Sequence, residues 1–101
     1  MFIVAEHNIK NPEAFFRLAP EVLKARPGVR IVQSLPNMSN DRAVCLWEAH
    51  SVEDLKAFLD PLTAQSSRNT YYEVDSTKAT GLPSATALDE TVPGGAATRA
   101  A

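Results

Sequence analysis

The apolar positions of this chain follow two periods, and the switches between them predict its secondary structure. Four runs rich in β-branched and aromatic residues are typical of strands, and they lie at 2–9, 29–35, 42–49 and 70–75. Two segments between them repeat apolar residues at helical spacing. Each begins with a side chain that can cap a helix, Asn11 in the first and Ser51 in the second. The order strand–helix–strand–strand–helix–strand predicts an α+β, ferredoxin-like fold with sheet order 4-1-3-2 and both helices on one face.

Two prolines are expected to disturb these helices. Pro20 cannot donate a backbone hydrogen bond to the Phe16 carbonyl, so we expect a kink or break in the first helix, which runs to about Ala25. Pro61 is expected to end the regular part of the second helix for the same reason. The predicted buried stripes comprise Phe15, Leu18, Ala19 and Val22 in the first helix and Leu55, Phe58, Leu59 and Leu62 in the second.

The two strands at the centre of the predicted sheet, the first and the third, are apolar on both faces. In the third strand Val44 and Leu46 alternate with Ala43, Cys45 and Trp47, so neither face has the polar pattern of a face in water. We expect these two strands to run parallel. An uncovered apolar face predicts an interaction surface, and a homodimer through this open face is the favoured interpretation. The alternative is that the C-terminal tail folds back over it.

The last quarter of the chain has a different composition. Residues 76–101 lack periodicity and consist mainly of small residues, proline and glycine, which is typical of an extended tail. The prediction is therefore one domain at 1–75, followed by a tail at 76–101 that is flexible or packed on a partner subunit. A core drawn from about 75–80 residues is small, which also favours oligomerisation.

Charge and cysteine content narrow the range of partners. The chain has 101 residues, ten basic and twelve acidic, with a net charge of −2 and no basic run, so nucleic acid is not expected as a partner. No apolar stretch approaches the length of a membrane span or a signal peptide, so no membrane partner is expected either. A single cysteine suits a reducing compartment, and together these features predict a cytoplasmic protein.

Two histidines and a glutamate form a candidate metal site. If the central strands are parallel, the end of the first strand, with His7, and the end of the third, with Glu48 and His50, lie at one edge of the sheet. Two imidazoles and a carboxylate suit a divalent transition metal such as nickel or zinc. The alternative assigns all three to ordinary surface and hydrogen-bonding roles, because no metal-binding motif supports the site. Cys45 is expected to behave as a small buried hydrophobe.

A second candidate site is a ligand pocket between the sheet and the helices. Its predicted lining combines an amide with aromatic side chains, and the candidates are Asn8, Trp47, Tyr71 and Tyr72. The two tyrosines point to opposite faces of the last strand, so only one of them is expected to reach the pocket. The alternative is that these residues are core, interface or surface positions, as tryptophans and tyrosines commonly are. No GxSxG, P-loop or GxGxxG motif is present, so serine hydrolase and nucleotide-binding chemistry have no motif support.

The segments CLWEAHSVEDLKAFLDP and YYEVD resemble the dimeric α+β barrel superfamily, and most of all a branch of small, mostly uncharacterised bacterial proteins that includes nickel-binding members. The shared pattern is a strand ending CLWEA at 45–49, then a serine-capped helix, then a last strand ending Glu73-Val74. The resemblance covers residues 1–75 and implies the ferredoxin-like fold, a homodimer and a metal bound by histidine. It carries over no set of catalytic residues.

Three functions are compatible with this sequence. The first is binding of a divalent metal or small ligand by a small dimeric α+β barrel protein. The second, implied by the same superfamily, is a cofactor-independent monooxygenase or isomerase acting on a small aromatic substrate. The third is an assembly module without a ligand. A bound metal should raise the melting temperature, whereas a pocket enzyme requires an apolar cavity with a few polar groups.

Overall fold

The computed structural model describes residues 1–24 and 26–88. Its α+β fold has strands and helices in the predicted order. The elements are β1 (Phe2–Ile9), α1 (Pro12–Phe16), α2 (Ala19–Val22), β2 (Val29–Pro36), β3 (Arg42–Ala49), α3 (Val52–Thr63) and β4 (Ser67–Glu73). The bounds of β1 and β3 are as predicted, whereas β4 begins at Ser67, before the predicted start at Thr70.

The four strands form one sheet in the order β2-β3-β1-β4, which is the predicted order read from the other edge. Every neighbouring pair is antiparallel, so the expectation that β1 and β3 are parallel is wrong. The helical segment between β1 and β2 brings the chain back, so that β2 runs in the same direction as β1. The turn at 37–41 then reverses the chain, so that β3 runs opposite to both. As a result, the ends of β1 and β3 lie at opposite edges of the sheet.

The predicted break in the first helical segment is present. α1 ends at Phe16 and α2 begins at Ala19, with Pro20 in the first turn of α2, where its missing N–H costs no hydrogen bond. Asn11 caps α1 by accepting a hydrogen bond from the Ala14 N–H, 3.1 Å away. Neither helix buries a residue completely. The predicted stripe is therefore only partly buried, and its Ala19 is exposed.

α3 is a single helix of 12 residues that packs its apolar face on the sheet. The Ser51 hydroxyl caps it by accepting from the Asp54 N–H at 3.0 Å. The expectation that Pro61 ends its regular part is wrong, because the helix continues to Thr63. The missing N–H of Pro61 removes one hydrogen bond from the ladder, while Leu59 and Leu62 on either side of it pack in or against the core. The core between α3 and the sheet comprises Ile3, Ala5, Cys45, Trp47, Ala49, Leu55 and Leu59.

The face of the sheet away from the helices is crossed by the segment after β4, residues 74–88, which we call the strap. The Val74 N–H donates to the Phe2 carbonyl at 2.9 Å, and the Thr86 N–H donates to Glu48 on β3. The strap thus follows the alternative in which the tail folds back on its own chain. The rest of the predicted tail lies outside the described residues.

The strap leaves part of this open face uncovered. Phe2 and Val4 on β1 are buried on this face, with at most 8% of their surface exposed. Val44, Leu35 and Tyr72 lie on the same face by register and are 40%, 58% and 53% exposed. Exposed apolar side chains therefore remain on β2, β3 and β4 of this face.

Candidate functional site

A cavity of about 140 Å³ lies between the helix-covered face of the sheet and the two short helices α1 and α2. On this face of β1 and β3, Ala5 pairs with Cys45 and Ala43 pairs with His7, so three of these four side chains are small. α1 and α2 bridge this region without filling it, so the cavity stays partly open to solvent. Its walls are mainly apolar and include Phe15, Leu18, Val22, Ile31, Trp47 and Leu59.

His7 lies on the wall of this cavity and has only 4% of its surface exposed. Its ring centroid is 5.0 Å from that of Phe15, and its Nδ1 atom is 2.6 Å from Asn69 Oδ1 on β4. Burial of the ring lowers the pKa of His7, and the bond to Asn69 and the charge of Asp60 oppose this effect only in part. The imidazole is therefore neutral near pH 7.

The orientation of the Asn69 amide determines which nitrogen of His7 carries the proton. Asn69 Nδ2 donates to Thr63 Oγ1 at 2.7 Å and to Asp60 Oδ1 at 3.1 Å, and both acceptors belong to α3. This arrangement directs the amide oxygen, which can only accept, toward His7. Nδ1 therefore carries the proton, and Nε2 is left as the acceptor of the neutral ring.

Two further side chains near the cavity hold protons firmly. The Tyr71 hydroxyl donates to Asp60 Oδ1 at 2.6 Å, and burial together with that carboxylate raises the pKa of Tyr71. The Cys45 thiol donates to Ser34 Oγ at 3.6 Å, and burial raises the pKa of Cys45. A buried thiol of this kind is a poor nucleophile, so Cys45 behaves as the small hydrophobe expected from its sequence context.

The three candidate metal ligands do not come together. Because β1 and β3 are antiparallel, Glu48 pairs with Phe2 at the start of β1, whereas His7 pairs with Ala43 toward the other edge. Glu48 also lies on the open face, opposite the face that carries His7, and His50 follows β3 at an exposed position. The expected convergence is therefore wrong. Among residues 1–24 and 26–88, no group of three or more His, Cys, Asp or Glu side chains is arranged to hold a metal.

Glu48 instead belongs to a buried ion pair on the open face. It is 2% exposed, and its Oε1 atom accepts from Arg30 Nη2 at 2.8 Å. Thr86 donates to the same carboxylate from its N–H at 2.9 Å and from its hydroxyl at 2.8 Å. Burial alone raises the pKa of Glu48, but the bonds from Thr86 and Arg30 outweigh it, so the pKa is lowered overall. The charged carboxylate thus joins β2, β3 and the strap.

The predicted pocket residues divide between the two faces of the sheet. Trp47 lines the cavity, and Tyr71 packs on the same face without forming part of the cavity wall. Asn8 and Tyr72 lie on the open face because side chains alternate along each strand, so their assignment to the pocket is wrong. Asn69 is not among the predicted site residues because it lies before Thr70, the predicted start of β4. The alternation of Asn69 with Tyr71 is the signal that an earlier start would have revealed.

No match with a known protein assigns a function to this site, so its geometry is the basis for the proposals below. No protein-family model, curated protein or solved structure matches the chain. Within the described part of the chain, no helix has both the length and the apolar character needed to cross a membrane. The fold and site define a small α+β protein with a ferredoxin-like strand order and an apolar cavity beside a buried, neutral histidine.

Proposed function

We propose that this protein binds a small apolar molecule, about one ring in size, in the cavity between the sheet and helices α1 and α2. The observation that carries the proposal is the cavity itself, about 140 Å³ in volume and walled mainly by apolar side chains. An engineered protein cavity of about 150 Å³ with similar walls stays dry and binds benzene. Pockets for larger organic ligands are about 300–1,000 Å³, so a polycyclic ligand is too large for this one.

The single tryptophan provides a direct test. Trp47 lines the cavity, so titration with benzene or toluene should change its fluorescence and raise the melting temperature of the protein. Cys45→Leu adds volume inside the cavity and should weaken binding. Val44→Leu adds volume on the open face and should leave it unchanged, which makes it the matched control. If toluene bound equally tightly to both variants, this cavity would not be its binding site.

An isomerase- or monooxygenase-like enzyme is the second candidate, and His7 is the observation that favours it over a passive carrier. A neutral imidazole that lines an apolar cavity and has its Nδ1 held by Asn69 is suited to general-base catalysis. A bound ligand should then exchange carbon-bound protons with deuterated water in a His7-dependent manner, as followed by NMR. An exchange rate that is the same in His7→Gln and the unmodified protein would leave ligand binding as the function.

We also propose that the protein forms a homodimer through its open face and resides in the cytoplasm. Val44 and Leu35 are paired neighbours on β3 and β2, and they and Tyr72 on β4 are exposed apolar side chains of this face; a second copy covering them would extend a core that is small for one domain. The buried free thiol of Cys45 is consistent with a reducing compartment. A mass equal to two chains in light scattering supports the dimer, whereas a mass equal to one chain contradicts it.

A further inference from the structure

We infer that the ligand of this cavity is a neutral ring bearing a hydroxyl group, such as a phenol, whose O–H donates a hydrogen bond to His7 Nε2. The inference rests on the proposed function, because it names the class of molecule that the cavity accepts. It depends on three features of the site: the protonated nitrogen of His7, the access of its other nitrogen and the absence of charge in the walls.

The first feature is the locked orientation of the imidazole. Asn69 Nδ2 faces three acceptors, Thr63 Oγ1 at 2.7 Å, Asp60 Oδ1 at 3.1 Å and the Tyr71 hydroxyl at 3.3 Å, so the amide is held with its oxygen toward His7. The Ser67 hydroxyl also donates to this oxygen at 2.8 Å. His7 Nδ1 must donate to it, and Nε2 then presents a lone pair. Asn69 is a positioning residue in this arrangement.

The second feature is the access of His7 Nε2. This atom has no hydrogen-bond partner among the described residues. Nδ1 is the ring nitrogen held by Asn69, so Nε2 is the nitrogen left for a ligand. His7 lines the cavity with only 4% of its surface exposed, and we infer that Nε2 is the atom that faces a ligand there.

The third feature is the charge of the surroundings. The described residues that line the cavity include no lysine, arginine, aspartate or glutamate. An anionic ligand would lose its hydration without gaining a cation, and a cationic ligand would lose its hydration without gaining an anion. A neutral hydroxyl, by contrast, gains an acceptor at Nε2 while its ring fills the apolar space. The site therefore favours a phenol over a benzoate or a benzylamine.

Isothermal titration with phenol and toluene tests this inference, since the two molecules have nearly the same shape. At pH 7.5 the unmodified protein should bind phenol at least as tightly as toluene. In His7→Leu the hydroxyl is buried without a partner, and phenol should bind about tenfold or more weakly than toluene. Val44→Leu on the open face is the control and should keep the preference of the unmodified protein.

Nitrogen-15 NMR of the two histidines tests the same contact without any substitution. The resonances of His7 should show a proton on Nδ1 and none on Nε2, and phenol should shift the Nε2 resonance strongly while toluene does not. The His50 resonances serve as an internal control and should be unaffected by either ligand. A proton on Nε2 in the free protein would overturn the inference, whatever the behaviour of the His7→Leu variant.

Binding in the apolar cavity and the hydroxyl contact with His7 can be contradicted separately. If toluene binds in the cavity and phenol binds at least tenfold more weakly to the unmodified protein, the hydroxyl contact is wrong and the apolar cavity remains a binding site. If neither toluene nor phenol binds, both the proposed function and this inference are overturned. Phenol binding that is lost in His7→Leu while toluene binding persists supports both.

Discussion

His7 combines burial, an ordered partner and an apolar cavity at a single side chain. Burial lowers the pKa of His7 because the charged ring loses hydration, and the neighbouring Asn69 is an amide that cannot supply a compensating negative charge. Asp60 lies behind Asn69 and is itself bonded to Tyr71, so its charge acts on His7 only at a distance. The protein thereby keeps a neutral base next to apolar walls.

The lowered pKa of His7 predicts a pH-dependent stability. Relative to the ordinary value of 6.5, the folded state resists protonation, so the unfolded state binds more protons as the pH falls. The contribution of His7 is present above about pH 6.5 and is lost as the pH falls through the folded-state pKa. We expect the free energy of unfolding, measured with urea, to decrease between about pH 7 and pH 5.

Variants of the two histidines identify the group responsible. His7→Gln should remove most of the decrease in unfolding free energy, because no ring remains to be protonated at this position. His50→Gln is the matched control and should retain it. If His50→Gln flattens the pH dependence and His7→Gln does not, His7 is not the titrating group.

The ion pair of Arg30 and Glu48 makes a second prediction at the residue scale. Both side chains are almost completely buried, with 9% and 3% exposed. Arg30→Met would leave the Glu48 carboxylate buried without its cation, and we expect a loss of about 3–5 kcal/mol in unfolding free energy. The double variant Arg30→Met/Glu48→Leu should be clearly more stable than the single one. Urea unfolding measures both, and equal stability of the two variants would contradict this account.

At the scale of elements, α3 differs from α1 and α2 in length and in how much it buries. α3 is 12 residues long and buries Leu55, Leu59 and Thr63. α1 and α2 have 5 and 4 residues, and neither buries a residue. Helices this short have little stability of their own in water, so they depend on contacts across the cavity. The cover of the cavity is therefore the weaker part of the layer.

Hydrogen exchange should reveal this difference. Amides of α2, such as that of Val22, should exchange at least about tenfold faster than those of Leu55 and Leu59 in α3, because local opening of α2 exposes little apolar surface. Saturation with toluene should slow exchange in α1 and α2 and leave α3 nearly unchanged. Equal protection of the two regions without ligand would show that the cavity cover is as stable as α3.

At the scale of the whole molecule, the strap and the exposed apolar side chains share the open face. Thr86 holds the strap at Glu48, on the part of the face near the start of β1. Val44 lies near the other end of β3, where it pairs with Glu6 of β1, and it remains 40% exposed. A dimer that covers Val44 therefore leaves the bonds between Thr86 and Glu48 intact. In the proposed dimer, the strap and the second copy would cover different parts of the face.

A charge placed at Val44 tests this division. Val44→Lys should shift the protein from two chains to one in light scattering, because dimerisation would bury an unpaired ammonium group. Met38→Lys is the matched control, since Met38 is fully exposed in the turn between β2 and β3. It should leave the mass unchanged. A dimer that survives Val44→Lys would contradict the open face as the interface.

Local features of the sequence were sufficient to predict most of the fold. The apolar alternation located β1 and β3 at their observed bounds, because it depends only on which residues are neighbours along the strand. The caps at Asn11 and Ser51 and the break near Pro20 depend on hydrogen bonds between residues within a few positions of each other. Pro61 was misjudged because the loss of a single bond near a helix end is offset by packing elsewhere.

The candidate site was decided by the tertiary structure. Strand direction follows from how the crossover and the β2–β3 turn join the strands, and it separates His7 from Glu48 although both lie near strand ends. Asn69 is 62 positions from His7, and their contact follows from the pairing of β1 with β4. The sequence alone determined the elements and the two apolar faces of the sheet. Only packing across the chain decided which polar groups meet, because burial and register, rather than local pattern, bring distant residues together.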